Sequence, residues 1–216
     1  MAEFEEIYWT KTNPISIRDY ASYCGFNLNT IDLFKIPEDQ RKWIERKVVG
    51  NILEDLDECW AEDEWEEPFN SIEKGVYVIS LAGNICVDYK NKPSQVIYIG
   101  RGQVRHRIYN HLKNWVANFS ESLQDINFRF WATKIKKAGS PDAFKIVESK
   151  LIKIFYDRYG ELPILNKKFG DCFDNSNHSF SKDLTKPFRN ERAINKGWKI
   201  RPMESNEWFK EIEEDI

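Results

Sequence analysis

No apolar run in this 216-residue chain approaches the length needed to cross a bilayer. Its four cysteines (Cys24, Cys59, Cys86 and Cys172) are scattered, with no CxxC and no Cys/His cluster. That argues against a zinc centre and for reduced thiols acting as small apolar residues. There is no internal repeat and no true low-complexity tract. Nothing between residues 15 and 60 matches a helix-turn-helix well enough to assign base reading there. The N-terminal MAEFEEIYWT is acidic and lacks the shape of a signal peptide. The expectation is a soluble, cytoplasmic protein with no membrane partner.

What is present is a real core and an uneven charge. Hydrophobic residues make up 41% of the chain and aromatics 14%, enough to bury much area per residue. Residues 1–74 hold 8 Lys/Arg and 18 Asp/Glu, a balance of −10. Residues 75–202 hold 23 and 11, a balance of +12, and residues 203–216 hold 1 and 6, a balance of −5. These sum to the formal net charge of −3. A basic middle between acidic ends suits a polyanion bound by the middle, or else serves solubility alone.

The chain divides into residues 1–70, 74–170 and 171–216. In the first part, residues 1–14 read as irregular. Ser16 caps a short helix that Gly25 stops. Pro37 opens a long helix whose Ile44, Val48, Ile52 and Leu56 form an apolar stripe. An acidic run, residues 54–67, and Pro68 close this helical segment; the run is a solvated helix end and linker, an autoinhibitory cover for the basic face, or a contact for another protein. In the second part, Gly75–Leu81 and Gln95–Gly100 are β-branched and aromatic, as paired strands prefer. The long connection between them has room for a short strand near Ile85–Tyr89. A helix over Val104–Val116 follows, then a third strand, Ile126–Ile135, with Phe128, Phe130 and Ala132 on one face. Ser140 and Pro141 start a helix that runs to Tyr159 and stops at Gly160, and residues 163–166 form a short extended return. The last part opens with a polar loop, carries spaced cations over 182–202 with Trp198 among them, and ends in an acidic tail. The fold class is α+β.

Several residues could carry chemistry. Arg107 and His111 are i and i+4 on one helix face, and an Arg fork matches phosphate oxygens. Tyr77 and Tyr98 lie on the two paired strands. Glu148 sits at the border of the apolar stripe of its helix, where a carboxylate needs a partner. Each has a plain alternative: a solvated Arg beside a surface His, two core tyrosines, and a Glu paired with Lys145 or turned to solvent.

The runs Gly75-Val76-Tyr77 and Tyr98-Ile99-Gly100, followed by Arg107, His111, Glu148 and Asn166 in that order, resemble the GIY-YIG nuclease family over residues 74–170. The resemblance implies a small three-stranded, mainly antiparallel sheet flanked by helices. It implies that Tyr77 acts as general base for a water and that Tyr98 supports the site; a free phenol is a poor base at neutral pH, and His111 is the candidate proton acceptor. Arg107 would stabilise the phosphoryl transition state and Glu148 would hold one Mg²⁺, with Mn²⁺ a possible substitute. Asn166 would fix local geometry or be a plain turn residue. Val76 replaces the usual Ile, and Arg101 stands where many members carry Lys.

The expected activity is Mg²⁺-dependent cleavage of double-stranded DNA within the chain, in a restriction-type or mobile-element setting. Arg101, Arg105, Lys134, Lys136, Lys137, Lys182, Lys186, Arg189 and Arg192 are the expected phosphate contacts, which fix register without reading sequence. Cutting both strands would take a homodimer or two successive encounters. The alternative is a non-catalytic or toxin-like nucleic-acid-binding protein that retains the fold.

Overall fold

The computed structural model describes residues 2–3, 7–27, 35–63, 65, 67–116, 126–135, 140–169, 178–190 and 198–200. Ser16 Oγ accepts from the Asp19 N–H (3.1 Å) and starts α1 (Ile17–Tyr23). Pro37 precedes α2 (Glu38–Glu62), with Glu38 and Asp39 in the first turn near the positive end of the helix dipole. The apolar stripe of α2 is buried as its spacing predicts and adds Val49, Leu53 and Trp60. The helix continues into the acidic run because that run still carries the apolar spacing. Trp60 stacks on Trp65 at 4.3 Å, tilts against Phe69 and donates from Nε1 to the Glu67 carbonyl (2.8 Å). This aromatic group fixes how the chain leaves α2.

The fold is α+β, with helices flanking mostly antiparallel sheet. Two residues, Ala2–Glu3, form β1, and Thr10–Lys11 forms β2. The β-branched runs form β3 (Gly75–Ala82) and β6 (Val96–Gly102), and β7 spans Asn127–Lys134. These make a four-stranded antiparallel sheet in the order β2-β7-β3-β6. The sequence reading gives three of these strands. The fourth, β2, has only two residues and no period to read, so the irregular N-terminal segment is in fact pinned to β7. Thr12 continues that pairing: its Oγ1 accepts from the Phe130 N–H (3.1 Å) and its own N–H donates to the Phe130 carbonyl (3.0 Å).

The connection between β3 and β6 folds on itself. β4 (Ile85–Tyr89) and β5 (Lys92–Ser94) are joined through Lys90 and Asn91, both at positive φ (45° and 64°), as a tight hairpin requires. Near the other end of the chain, β9 (Trp198–Ile200) adds to β4 in parallel and completes a three-stranded sheet. β8 (His178–Ser179) pairs with β1.

Helix α3 (Val104–His111) passes into a π-helical turn, Leu112–Val116. Helix α4 (Ala143–Tyr159) begins after Asp142, because the Ala143 N–H bonds the Ser140 carbonyl (3.2 Å) and closes a turn first. Ser140 is therefore not the cap that its residue type predicts. Gly160, at φ +76°, ends the helix as expected. A 3₁₀ segment, Lys182–Phe188, packs Leu184 and Phe188 inward, and Trp9 Nε1 donates to the Asp183 carbonyl (3.1 Å). Buried side chains from Ile7 to Phe188 form one hydrophobic cluster. Cys24, Cys59 and Cys86 are free thiols, while Cys172 lies outside the described residues. Among the described residues no helix is long and apolar enough to cross a membrane.

Candidate active site at the edge of the four-stranded sheet

The two motif glycines have a steric explanation. Tyr77 on β3 stands opposite Gly100 on β6, and Tyr98 stands opposite Ile79, so both rings project from the same sheet face, one diagonal step apart. A Cβ on Gly100 would lie 2.5 Å from Tyr77 Oη and 2.6 Å from Tyr98 Cε1. Only glycine leaves room for both rings there. A Cβ on Gly75 would lie 2.3 Å from Val104 Cγ2 at the start of α3, so that glycine lets the helix close on the strand. The two tyrosines then stack at 5.9 Å between ring centroids.

Against this face α3 presents Arg107 and His111 together, as their spacing predicts. His111 Nε2 lies 2.8 Å from Tyr77 Oη, and Arg107 Nε donates to the same hydroxyl at 3.4 Å. The His111 ring also sits 4.4 Å from the Tyr98 ring. Arg107 is a donor only, so it leaves the Tyr77 hydroxyl proton to the other partners of that oxygen, and His111 accepts it when Nε2 is unprotonated. Desolvation, reinforced by the Arg107 charge, holds the His111 pKa down at about 4. The imidazole is therefore neutral at pH 7. Burial pushes the Tyr77 phenol above its ordinary value, with Tyr98 adding to the rise and the bond from Arg107 opposing it. Tyr77 is 0% exposed, so its hydroxyl communicates with solvent through Arg107 and His111 rather than directly.

Beside these groups runs an open groove of about 1040 Å³ along β6, the edge strand. Tyr98, Arg107 and His111 line it together with Arg101, Glu148 and Lys168; alternation along β6 sends Tyr98 and Arg101 to opposite faces, so the two sets form its two walls. Glu148 is held by the buried stripe of α4 (Val147, Leu151 and Ile152) and is only 8% exposed. Arg101 Nε approaches its Oε2 at 3.3 Å, which is the partner that a carboxylate in that position requires. Lys145 bonds Asp142 (2.8 Å).

Asn166 acts as expected of a residue that fixes geometry. Its Oδ1 accepts from the Ile99 N–H (2.9 Å) and its Nδ2 donates to the Ile99 carbonyl (2.8 Å), so one side chain pairs the free edge of β6 as another strand would. The Leu165 N–H bonds the Ile97 carbonyl (3.1 Å) beside it. With both amide atoms on backbone, Asn166 is a positioning residue.

Among the described residues no group of three or more His, Cys, Asp or Glu side chains could cage a metal. The site offers one carboxylate, Glu148, beside open space. That is the donor set for a hard cation such as Mg²⁺, whose remaining ligands are water and phosphate.

The structure thus brings Tyr77, Tyr98, Arg107, His111, Glu148 and Asn166 to one sheet edge. The expected phosphate contacts are more dispersed. Arg101 lies in the groove. Arg105 makes a two-pronged pair with Asp57 of α2 (3.1 and 3.2 Å from Nε, 3.1 Å from Nη2) and locks α3 to α2. Lys134 pairs with Glu67. Lys182, Lys186 and Arg189 lie on or just after the 3₁₀ segment, with Lys186 over the Tyr8 ring at 5.8 Å. Lys136, Lys137 and Arg192 fall outside the described residues. Sequence reading missed Asn110, Asn114, Lys167 and Lys168, all of which line the groove. Asn110 and Asn114 follow Arg107 and His111 by one turn each, and the two lysines directly follow Asn166, so both signals were legible. No protein-family model, curated protein or solved structure matches the chain.

Proposed function

We propose that the protein is a Mg²⁺-dependent endonuclease that hydrolyses phosphodiester bonds in double-stranded DNA, of the GIY-YIG type. One observation carries this reading: Arg107 and His111, both hydrogen-bonded to Tyr77, line the same open groove as a buried carboxylate, Glu148. Held on Glu148, Mg²⁺ would neutralise phosphate charge and stabilise the departing 3′ oxygen.

The chain's own residues do the rest. Arg107, whose bond to Tyr77 is the longer of the two, turns its fork to a substrate phosphate and stabilises charge on the phosphoryl group. As Arg107 swings away it uncovers the Tyr77 hydroxyl and withdraws the charge that, after desolvation, holds the His111 pKa down; Tyr77 Oη then accepts a proton from the attacking water while passing its own to His111 Nε2. This relay answers the difficulty that a buried phenol is hard to ionise: Tyr77 never carries a full charge. Proton transfer of this kind is worth on the order of 10²–10⁴ in rate. Tyr98 walls the groove, and Lys167 and Lys168 supply phosphate contacts that weaken with salt. A restriction-type or mobile-element role fits a catalytic unit with additions at both ends.

A second reading has its own support. Arg101 already neutralises Glu148, so the groove could bind nucleic acid without turnover. Plasmid DNA incubated with protein and Mg²⁺, with and without a chelator, separates the two. Nicked or linear product that needs the metal supports the nuclease; binding with no product at any Mg²⁺ or Mn²⁺ concentration rejects it.

A further inference from the structure

Along α4, Glu148, Ile152 and Tyr156 follow one another at i, i+4 and i+8, a single stripe about 12 Å long. The first two line the groove; Tyr156 continues beyond it. There its ring meets Phe169 edge-on at 4.8 Å. Tyr156 is 41% exposed and Phe169 45%. Among the described residues this is the aromatic pair in which both rings are exposed. Lys167 and Lys168, both exposed, line the groove and directly precede Phe169 in the chain. Asn166 and Leu165 anchor this segment to the β6 backbone, so the lysines and Phe169 leave from a fixed point.

Burial does not explain the pair. Tyr156 and Phe169 stand outward, while Phe155 and Tyr159, the neighbours of Tyr156 on its helix, are buried in the core. Two exposed rings at the end of a lysine-lined track match what binds an unpaired strand: cations follow the phosphates and π faces receive the bases. A fully paired duplex has no base to offer such rings.

Resting on the nuclease reading for the content of the groove, we propose that the preferred DNA carries a single-stranded segment next to its duplex. That segment leaves the groove over Lys167 and Lys168 and stacks a base on Tyr156 and Phe169. The preferred substrate class is then branched, flapped or overhanging DNA, with continuous duplex cut more slowly.

The test is fluorescence anisotropy of the full chain in chelator, at one salt concentration. Three DNAs share a duplex: one blunt, one with a short thymidine overhang at either end polarity, and one with an abasic overhang of equal length. The expected result is binding about tenfold tighter for the thymidine than for the abasic overhang in one polarity. Combining Tyr156→Ala with Phe169→Ala removes that preference and leaves blunt-duplex affinity within about twofold. Tyr156→Phe, which keeps the ring, retains the preference. Equal binding of the two overhangs overturns the proposal, as does a preference that survives loss of both rings. Because no cleavage is needed, failure of the nuclease reading appears separately: an intact overhang preference without Mg²⁺-dependent product removes the catalysis alone. A protein that binds none of the three DNAs removes both.

Discussion

The two walls of the groove are built on different principles. The tyrosine wall belongs to the core. Tyr77 is fully buried, Gly100 is shaped around it, and His111 and Arg107 are tied to its hydroxyl. Its groups are uncharged apart from Arg107, and packing sets their positions. The acid wall is charged and joins a buried carboxylate to exposed lysines. Glu148 meets Arg101 through an ion pair, and Lys167 and Lys168 are exposed. The difference teaches where precision and where adaptability reside: apart from Arg107, whose bond to Tyr77 is long, the first wall is set by packing, whereas the second can rearrange its ion pairs. Changes to the first wall should therefore cost stability and activity together, and changes to the second should cost activity alone.

That contrast can be broken at several points. The largest expected effect is on the acid wall: Glu148→Gln keeps an acceptor for Arg101 but loses the charge. Metal-dependent cutting should fall roughly 10³-fold with little change in the denaturant midpoint. A large loss of stability would mean that the acid wall is part of the core after all. On the opposite wall, Arg107→Ala should slow cutting by about 10²-fold or more, read from initial rates of plasmid nicking. Gly100→Ala should cost about 2–3 kcal/mol in urea unfolding, because the added methyl meets two rings held by the sheet. An unchanged midpoint would show that the rings yield easily.

A pH test sharpens the comparison further. His111 has a folded pKa of about 4 against an ordinary 6.5. Between those values the unfolded chain binds a proton there and the folded chain does not. Its contribution is therefore fully present above pH 6.5 and is lost as pH falls towards 4. Allowing for the partly solvated ring, the loss amounts to about 1–2 kcal/mol. Unfolding of the wild type and His111→Gln at a series of pH values should diverge over this interval only; parallel curves would contradict a neutral, desolvated imidazole. The smallest effect concerns two similar clamps. Asn166 brackets Ile99, while Asn190 accepts from the Gln95 N–H (3.2 Å) and donates to the Pro93 carbonyl (2.8 Å). Changing either to Ala should cost about 1 kcal/mol, but only the Asn166 change should also lower kcat.

Much of this architecture was legible because it rests on local rules. The i+4 stripe of α2, the β-branched runs of β3 and β6, and the glycine after Tyr159 each carry their signal within a few residues. The juxtaposition of Arg107 with His111 follows from helix period alone. What could not be read involves partners distant in sequence. Arg105 looks like a surface cation until Asp57 arrives from α2, and Lys134 until Glu67 does. Two-residue strands such as β2 have no period, and β9 is defined by a neighbour more than a hundred residues away. The depth of Tyr77 is likewise a tertiary fact. A strand tyrosine beside a glycine can be a rim or a core residue, and only the closure of α3 over Gly75 decides.

The most direct test of the central claim, that both walls serve one reaction centre, is a double-variant cycle on cutting. Initial rates in Mg²⁺ are measured for the wild type, Arg107→Ala, Glu148→Gln and the two changes combined. Groups that act together in one transition state are not additive. The combined variant should therefore cut no more slowly than the worse single variant by more than about threefold. If the two losses simply multiply, or if either single variant cuts like the wild type, the groove does not join these residues in one active site.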